Sequence, residues 1–230
     1  MQPLSGVAAS LAVSVALVLL EGCSTSAPYG ARIDEPGRAG SNGFSVRYPA
    51  DLMAVSEVLW NPARPMNGPT VTRPPHWYCR LKNGGKGAGW LWVESDRDRK
   101  NQKYAHGPDG PFMNASRMFK GLERQVKFSW GPGTSFVTIY ANGVTGLRAN
   151  NRELTYVVSG RTRDGRWWVA GIFPIAHPKL PRDVDDPRAR SNDVQDYEKD
   201  GARISRFSPE SFDPPMRIYD DIIGSLTFPE

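Results

Sequence analysis

Apolar and polar residues alternate over several short stretches of the chain, which is the pattern of strands with one buried face. The clearest early example is residues 44–48, where Phe44, Val46 and Tyr48 alternate with polar side chains. The other strands predicted in this way are residues 55–60, 77–81, 90–94 and 136–140. Turn-forming residues separate these stretches, so the pattern predicts a sheet of short strands joined by loops.

The strongest local signal is a hairpin around Asp164 and Gly165. This dipeptide is a common two-residue turn, and it lies between apolar runs at residues 154–160 and 167–175. The loop length sets the register, which pairs Tyr156 with Phe173 and Val158 with Gly171. Most large apolar side chains then lie on one face, which we expect to form the core.

Two later stretches repeat their apolar residues at helical spacing. Residues 114–126 are predicted as a helix because Met118, Leu122 and Val126 fall on one side. Residues 194–207 are predicted as a second helix, which Gly201 weakens by about 1 kcal/mol relative to alanine.

A last helix is marked by Asp213 as its N-cap and Pro214 as its first helical residue. Its apolar stripe consists of Tyr219, Ile222, Ile223 and Leu226. Packing this stripe on the sheet gives an α+β fold, an antiparallel β-sheet covered by helices. The chain has 230 residues, of which 39% are hydrophobic and 23% charged. We therefore expect residues 43–230 to form a single globular domain.

The beginning of the chain indicates export. Residues 7–20 are uncharged and apolar, a run too short to cross a membrane and typical of a signal peptide. The sequence Leu19-Leu20-Glu21-Gly22-Cys23 resembles the bacterial lipobox, in which the cysteine is acylated and becomes the first residue. Glu21 departs from that pattern, and so does the absence of any Lys or Arg before Arg32.

The lipobox resemblance implies that residues 1–22 are a signal peptide and that Cys23 carries the lipid. Residues 23–42 contain little apolar surface and are predicted to be a flexible tether. The expected location is the cell envelope, as a lipid-anchored protein, in the outer membrane where one exists because Ser24 follows the cysteine. An ordinary cleaved signal or an uncleaved anchor stays open.

Longer stretches resemble known proteins. Those similar to a group of uncharacterised secreted lipoproteins of cyanobacteria and other bacteria are Phe136-Val137-Thr138-Ile139-Tyr140, Asn150-Asn151-Arg152-Glu153-Leu154-Thr155-Tyr156, Gly160, Asp164-Gly165-Arg166-Trp167-Trp168 and Phe173-Pro174-Ile175-Ala176-His177-Pro178-Lys179-Leu180-Pro181. Those similar to the ends of PsbP-like domains are residues 44–49 and Ile222-Ile223-Gly224-Ser225-Leu226-Thr227-Phe228. The resemblance implies export and a PsbP-like sandwich around an antiparallel sheet. It implies binding or assembly rather than an activity.

Catalytic and metal-binding motifs are missing from the sequence. It contains no Gly-x-Ser-x-Gly elbow and no Ser-x-x-Lys. His76, His106 and His177 are far apart and lack metal-ligand spacing. We therefore expect no catalytic residues, no metal and no cofactor, and we interpret Cys79 as a buried apolar residue without a disulfide partner.

The charge pattern of the sequence does not indicate a particular ligand or partner. The net charge is +5, spread over single basic residues, and nothing resembles a nucleic-acid module. Acidic residues cluster between positions 183 and 200 but lack EF-hand spacing, so we interpret them as a solvated loop and helix start. Of the seven tryptophans, Trp168 lies on the polar face of the hairpin near Arg161. These two residues are the predicted contact patch, unless helices cover that face too.

The resulting hypothesis is a non-enzymatic, lipid-anchored envelope protein with a binding or scaffolding role. Its expected partners are the membrane, through Cys23, and an envelope protein or polysaccharide. One alternative is an envelope hydrolase with an unrecognised active site, in which a histidine meets an acid in a concave pocket. Another is a purely structural lipoprotein.

Overall fold

The computed structural model describes residues 32–35, 38–61, 64–65, 72–73, 75–82, 88–97, 116–141, 148–190 and 196–230. The strands within them are β1 (Arg32–Glu35), β2 (Arg38–Ser41), β3 (Phe44–Arg47), β4 (Ala54–Asn61), β5 (Arg64–Pro65), β6 (Thr72–Arg73), β7 (His76–Lys82), β8 (Ala88–Ser95), β9 (Ser116–Arg117), β10 (Gly121–Lys127), β11 (Pro132–Thr138), β12 (Tyr140–Ala141), β13 (Thr155–Arg161) and β14 (Trp167–Pro174). The helices are α1 (Asp196–Ile204) and α2 (Met216–Gly224), with 3₁₀ turns at Pro187–Ala189 and Pro209–Ser211.

An antiparallel sheet of seven strands dominates the fold, in the order β10-β11-β13-β14-β8-β7-β4. A smaller sheet, β1-β2-β3, packs near β4, and two short ribbons pair β9 with β12 and β5 with β6. The predicted class, α+β with an antiparallel sheet and helices, is therefore confirmed. The strands predicted at residues 44–48, 55–60, 77–81 and 90–94 correspond to β3, β4, β7 and β8. The strand predicted at residues 136–140 is divided between β11 and β12.

The hairpin is confirmed in detail. Tyr156 pairs with Phe173, and Val158 pairs with Gly171. Gly165 has a φ of +69°, the left-handed conformation that glycine adopts most readily in a tight turn. Asp164 accepts hydrogen bonds from the Thr162 hydroxyl and from the backbone N–H of Arg166. These bonds, led by that from Thr162, lower the pKa of Asp164 to about 2.

Helix α2 covers one face of the main sheet, as its apolar stripe predicts. The stripe residues Tyr219, Ile222, Ile223 and Leu226 are all buried. Tyr219 stacks on Phe173 with ring centroids 4.4 Å apart, and its hydroxyl donates to the carbonyl of Pro174. Each large side chain buried in this way contributes about 1.5–3 kcal/mol. We call this side of the sheet the helical face.

The predicted helix at residues 114–126 is wrong. Its described part contains strand β10, and residues 114–115 lie outside the described residues. Leu122 and Val126 are four residues apart, a spacing that satisfies the period of a strand as well as that of a helix. A register shift between Gly121 and Arg124, with a φ of +49° at Leu122, also interrupts the regular alternation that would reveal the strand.

The predicted start of the last helix is also wrong, since α2 begins at Met216 with Pro215 at its N-cap position. Asp213 instead pairs with Ala176 through two backbone hydrogen bonds of 2.9 and 2.8 Å. This pairing holds Asp213 in extended backbone. The helix predicted at residues 194–207 is present in part, as α1.

The predicted tether, residues 23–42, overlaps the folded domain and needs correction. Strands β1 and β2 lie within it, and Ala39 is fully buried. The domain therefore includes residues from Arg32 onward. Residues 1–31, with the predicted signal peptide and Cys23, lie outside the described residues.

Candidate functional site

The face of the main sheet opposite α2, called the far face here, carries the residues of the predicted contact patch. Strand register places one row of side chains across five strands: Arg161, Trp168, Glu94, His76 and Asn61. The next row is Gln125, Thr134, Ser159, Ala170, Trp92, Tyr78 and Leu59. These two rows thus combine small polar side chains on β10, β11 and β13 with aromatic ones on β7, β8 and β14. The row beyond them, Phe136, Val157 and Ile172, is a buried apolar cluster.

The centre of the aromatic half is buried, whereas Tyr78 and Trp90 are partly exposed. His76 stacks on Trp92 with ring centroids 3.7 Å apart, and the indole N–H of Trp92 donates to Glu94 Oε2 at 3.1 Å. Glu94 and Trp168 are 0% and 4% exposed. The expectation that Trp168 is an exposed platform is therefore wrong. It packs with Trp92 and Ala170 in a buried cluster on this half of the sheet.

Arg161 is accessible, as expected. Its side chain is 49% exposed, and its Nε lies 2.8 Å from Oδ1 of Asp96, whose side chain is 1% exposed. This ion pair joins the accessible end of the row to a buried carboxylate. One side of the guanidinium is therefore held by the protein, and the other faces solvent.

A shallow groove of about 320 Å³ lies beside Arg161 on the open half of the far face. It is lined by Gln125, Pro132, Gly133, Thr134, Ser159, Gly160, Arg161 and Trp168. The side chains that line it offer two hydroxyls, an amide and a guanidinium, and no carboxylate of the described residues is among them. Such groups bind ligands rich in hydroxyl, amide or anionic oxygen atoms. We call this feature the Arg161 groove.

The Arg161 groove has little signal in the sequence. Thr134 and Ser159 come together only because β11 pairs with β13, and neither belongs to a motif. Arg161 is the exception, because the hairpin register predicts that its side chain faces away from the core.

His177 is structural rather than catalytic. Its Nδ1 accepts the backbone N–H of Lys179 at 3.2 Å, so the ring proton of the neutral form is on Nε2, 3.0 Å from the Ser211 hydroxyl. That hydroxyl donates to the carbonyl of Ser208. A protonated Nε2 cannot take a proton from Ser211, so this pair is not a nucleophile with its base. Burial lowers the pKa of His177, and Lys179 adds to the effect.

Of the other two histidines, His76 and His106, the structure describes His76 alone. His76 lies directly opposite Glu94 across β7 and β8, and both side chains are buried. His106 lies outside the described residues. Among the side chains that the structure describes, no group of three or more His, Cys, Asp or Glu residues could hold a metal ion.

Cys79 is a core residue, as interpreted from the sequence. It is 0% exposed and forms no disulfide, and burial raises the pKa of its thiol to about 12. It is therefore shielded from acylation and from thiol reagents.

Most of the described acidic cluster is a loop paired with neighbouring arginines. Asp183 lies 2.8 Å from Arg182, and Asp186 lies 2.7 Å from Arg188. Asp200 is different because it is fully buried. It accepts hydrogen bonds from Arg148 and from the backbone N–H of Ala149, both at 2.8 Å.

A second polar cluster, on the helical face, was not predicted. The hydroxyl of Tyr156 donates to Asp220, and Arg124 donates to both residues. Burial, followed by the negative charge of Asp220, raises the pKa of Tyr156. The cluster borders a cleft of about 500 Å³ between α2 and the β10–β11 turn. Because the three groups hydrogen-bond to one another, we interpret the cluster as a link between α2 and the sheet.

Fold and groove together define the class of this molecule: an α+β domain built on an antiparallel sheet, with an accessible polar groove on its far face. In comparisons with known proteins, no protein-family model, no curated protein and no solved structure matches the chain. Neither described helix is long and apolar enough to cross a membrane.

Proposed function

We propose that the protein is an exported, non-enzymatic protein of the cell envelope, anchored through a lipid on Cys23, whose domain binds an envelope polysaccharide. The Arg161 groove is the observation that carries the binding role. Its hydroxyl, amide and guanidinium groups suit the hydroxyl and anionic groups of a polysaccharide. Its volume, about 320 Å³, is at the lower end of ligand sites and fits a short segment of such a chain.

The binding role can be tested by blocking the groove. Ser159→Tyr places a large side chain among the groove residues, whereas Thr155→Tyr places the same side chain on the same strand and face, four residues away. Equilibrium binding of wild type to purified peptidoglycan and lipopolysaccharide should be measurable. Ser159→Tyr should weaken it at least tenfold, and Thr155→Tyr should leave it unchanged. A wild-type protein that retains neither polymer would refute the proposal.

The proposed anchor depends on the lipobox-like sequence. It is supported by the burial of Cys79, which leaves Cys23 as the cysteine available for acylation. Intact mass and membrane fractionation should be compared between wild type and Cys23→Ala. We expect the mass increment of acyl chains such as palmitate on a chain that starts at Cys23, and its loss in the variant. An unmodified soluble product would remove the anchor from the proposal.

We also propose that the fold is a PsbP-like sandwich. The covering of one sheet face by α2 and the burial of Trp92 and Trp168 on the other face support it. An experimental structure that places helices against both faces would agree with this proposal, and one with a single helical layer would refute it.

An envelope hydrolase remains the second candidate because His76 lies beside Glu94. A hydrolase would release soluble fragments from peptidoglycan, and His76→Gln would stop the release. We expect no release by the wild-type protein under conditions where it binds the polymer.

A further inference from the structure

The guanidinium of Arg161 brings hydrogen-bond donors to the Arg161 groove that the described part of the chain does not use. The side chain is about half exposed, and its described partner is Asp96, whose Oδ1 lies 2.8 Å from Nε. A guanidinium carries five N–H donors and no acceptor. The N–H groups on its two Nη atoms therefore have no acceptor among the residues that the structure describes. A ligand in the groove meets a group that is positively charged and can only donate.

Asp96 holds this guanidinium in place. The Asp96 side chain is 1% exposed, and its backbone N–H donates to the carbonyl of Arg166 at 2.9 Å. Trp168, which is buried, lies directly opposite Arg161 across β13 and β14. A guanidinium held on its Nε side loses little conformational entropy when a ligand binds to the Nη groups. Arg161 is thus preorganised for a carboxylate or a phosphate, either of which accepts two parallel N–H bonds from arginine.

The accessible charge at the groove is positive. Asp96 compensates the charge of Arg161, but it is buried and is not among the residues that line the groove. Glu94, in the same row of the sheet, is also buried. The exposed carboxylates nearest in sequence to the groove residues, Glu123 and Asp164, are each paired with a cation of their own, at 2.7 and 2.5 Å. An anion in the groove therefore meets the exposed side of Arg161 with no unpaired carboxylate of the described residues beside it.

Two hydroxyls lie next to Arg161 along the groove. Ser159 is two residues before Arg161 on the same face of β13, which places it roughly 7 Å away along the strand. Thr134 lies directly opposite Ser159 on β11, and both side chains are partly exposed. In an acidic sugar, the oxyanion and the ring hydroxyls are separated by about the length of the ring. The groove thus offers donors for the oxyanion and hydroxyl partners for the ring of one sugar.

We propose that the Arg161 groove recognises an acidic sugar, with the Nη groups of Arg161 on its carboxylate or phosphate and with Thr134 and Ser159 on its hydroxyls. The inference rests on the proposed polysaccharide-binding function and names the class of polymer, one whose sugars carry an oxyanion. A neutral chain leaves the Nη groups to water and forms no charge-assisted hydrogen bond, which is about twice as strong as a neutral one. The groove therefore selects acidic chains over neutral chains.

Short oligosaccharides that differ in their oxyanions test the selection. Isothermal titration calorimetry of the full chain compares trigalacturonic acid with its methyl ester, and maltotriose monophosphate with maltotriose. Each acid should bind roughly tenfold more tightly than its neutral counterpart, the ratio that about 1.4 kcal/mol produces. The pair with the larger ratio identifies the preferred oxyanion, carboxylate or phosphate.

Variants assign the selection to Arg161. Arg161→Gln alone leaves the buried carboxylate of Asp96 without this cation, which destabilises a folded protein. The double variant Asp96→Asn with Arg161→Gln removes both charges and is therefore measured beside it. In the double variant, each acid and its neutral counterpart should bind equally. Arg152→Gln is the matched control because it removes an exposed arginine beyond the other end of β13, and it should keep the wild-type ratio.

The outcomes separate this inference from the proposed function. Equal binding of acidic and neutral oligosaccharides, lost in Ser159→Tyr, would overturn the selection and leave the binding role of the groove intact. A preference for the acids that persists in the double variant would place the oxyanion away from Arg161 and overturn the inference. A protein that binds peptidoglycan or lipopolysaccharide but none of the four oligosaccharides would overturn it as well. A protein that binds none of these ligands would refute the proposed function itself.

Discussion

Removing the carboxylate of Asp200 should destabilise the domain strongly. Asp200 lies on α1 but binds the segment before β13, through Arg148 and the backbone N–H of Ala149. It is fully buried, so Asp200→Ala leaves that N–H without an acceptor in a site from which water is excluded. The substitution thus detaches α1 from the loop at residues 148–150.

The magnitude follows from these contacts. An orphaned buried N–H costs about 1–3 kcal/mol, and a hydrogen bond between charged groups contributes about 1.5–3 kcal/mol. The Arg148 side chain is 32% exposed, so water hydrates it in the variant. Part of the free energy of its lost hydrogen bond is therefore recovered. We expect Asp200→Ala to lower the free energy of unfolding by about 3 kcal/mol, toward the lower limit for breaking a buried pair. This corresponds to a fall in Tm of about 6–12 °C for a domain of this size.

Urea denaturation followed by tryptophan fluorescence measures the effect. Asp200→Asn keeps an acceptor for Ala149 but loses the charge, so it should show about half the loss. Glu210→Gln is the matched control because Glu210 pairs with Arg217 on the surface, where both side chains are more than half exposed. It should unfold like wild type. If Asp200→Ala unfolded at the same urea concentration as Glu210→Gln, the assignment of Asp200 as a structural link would be wrong.

Three further outcomes are expected. The fold lowers the pKa of His177, so the unfolded chain binds a proton on this residue more readily than the folded chain does. The free energy of unfolding should therefore fall as pH drops below about 6.5. In urea titrations, His177→Gln should reduce this pH dependence. Cys79 should react with an aromatic disulfide reagent only after unfolding, and rapid labelling of the native protein at neutral pH would contradict its burial. Gly131→Ala should destabilise by about 2–3 kcal/mol because its Cβ would lie 2.0 Å from the backbone oxygen of Arg161. Gly165→Ala, which meets nothing within 4 Å, should show only the roughly 1–2 kcal/mol of a left-handed backbone; equal losses at the two glycines would contradict the close approach.

The features that could be predicted from the sequence are those that depend on residues close together in the chain. The hairpin register follows from the Asp164-Gly165 turn and from strand alternation, and both are contained in adjacent residues. The apolar stripe of α2 is likewise predictable from the sequence, because helical periodicity places its residues on one side. Its start was misplaced because Asp213 pairs with Ala176, a contact between segments far apart in the chain.

Burial on the far face could not be predicted in the same way. Trp168 and Arg161 are neighbours across one strand pair, yet one is 4% exposed and the other accessible. The difference depends on what covers each half of the sheet, which strand alternation does not encode. Asp200 was hidden among acidic residues interpreted as solvated. Its signal was its position on the same side of the helix as Tyr197 and Ile204, both of which are buried.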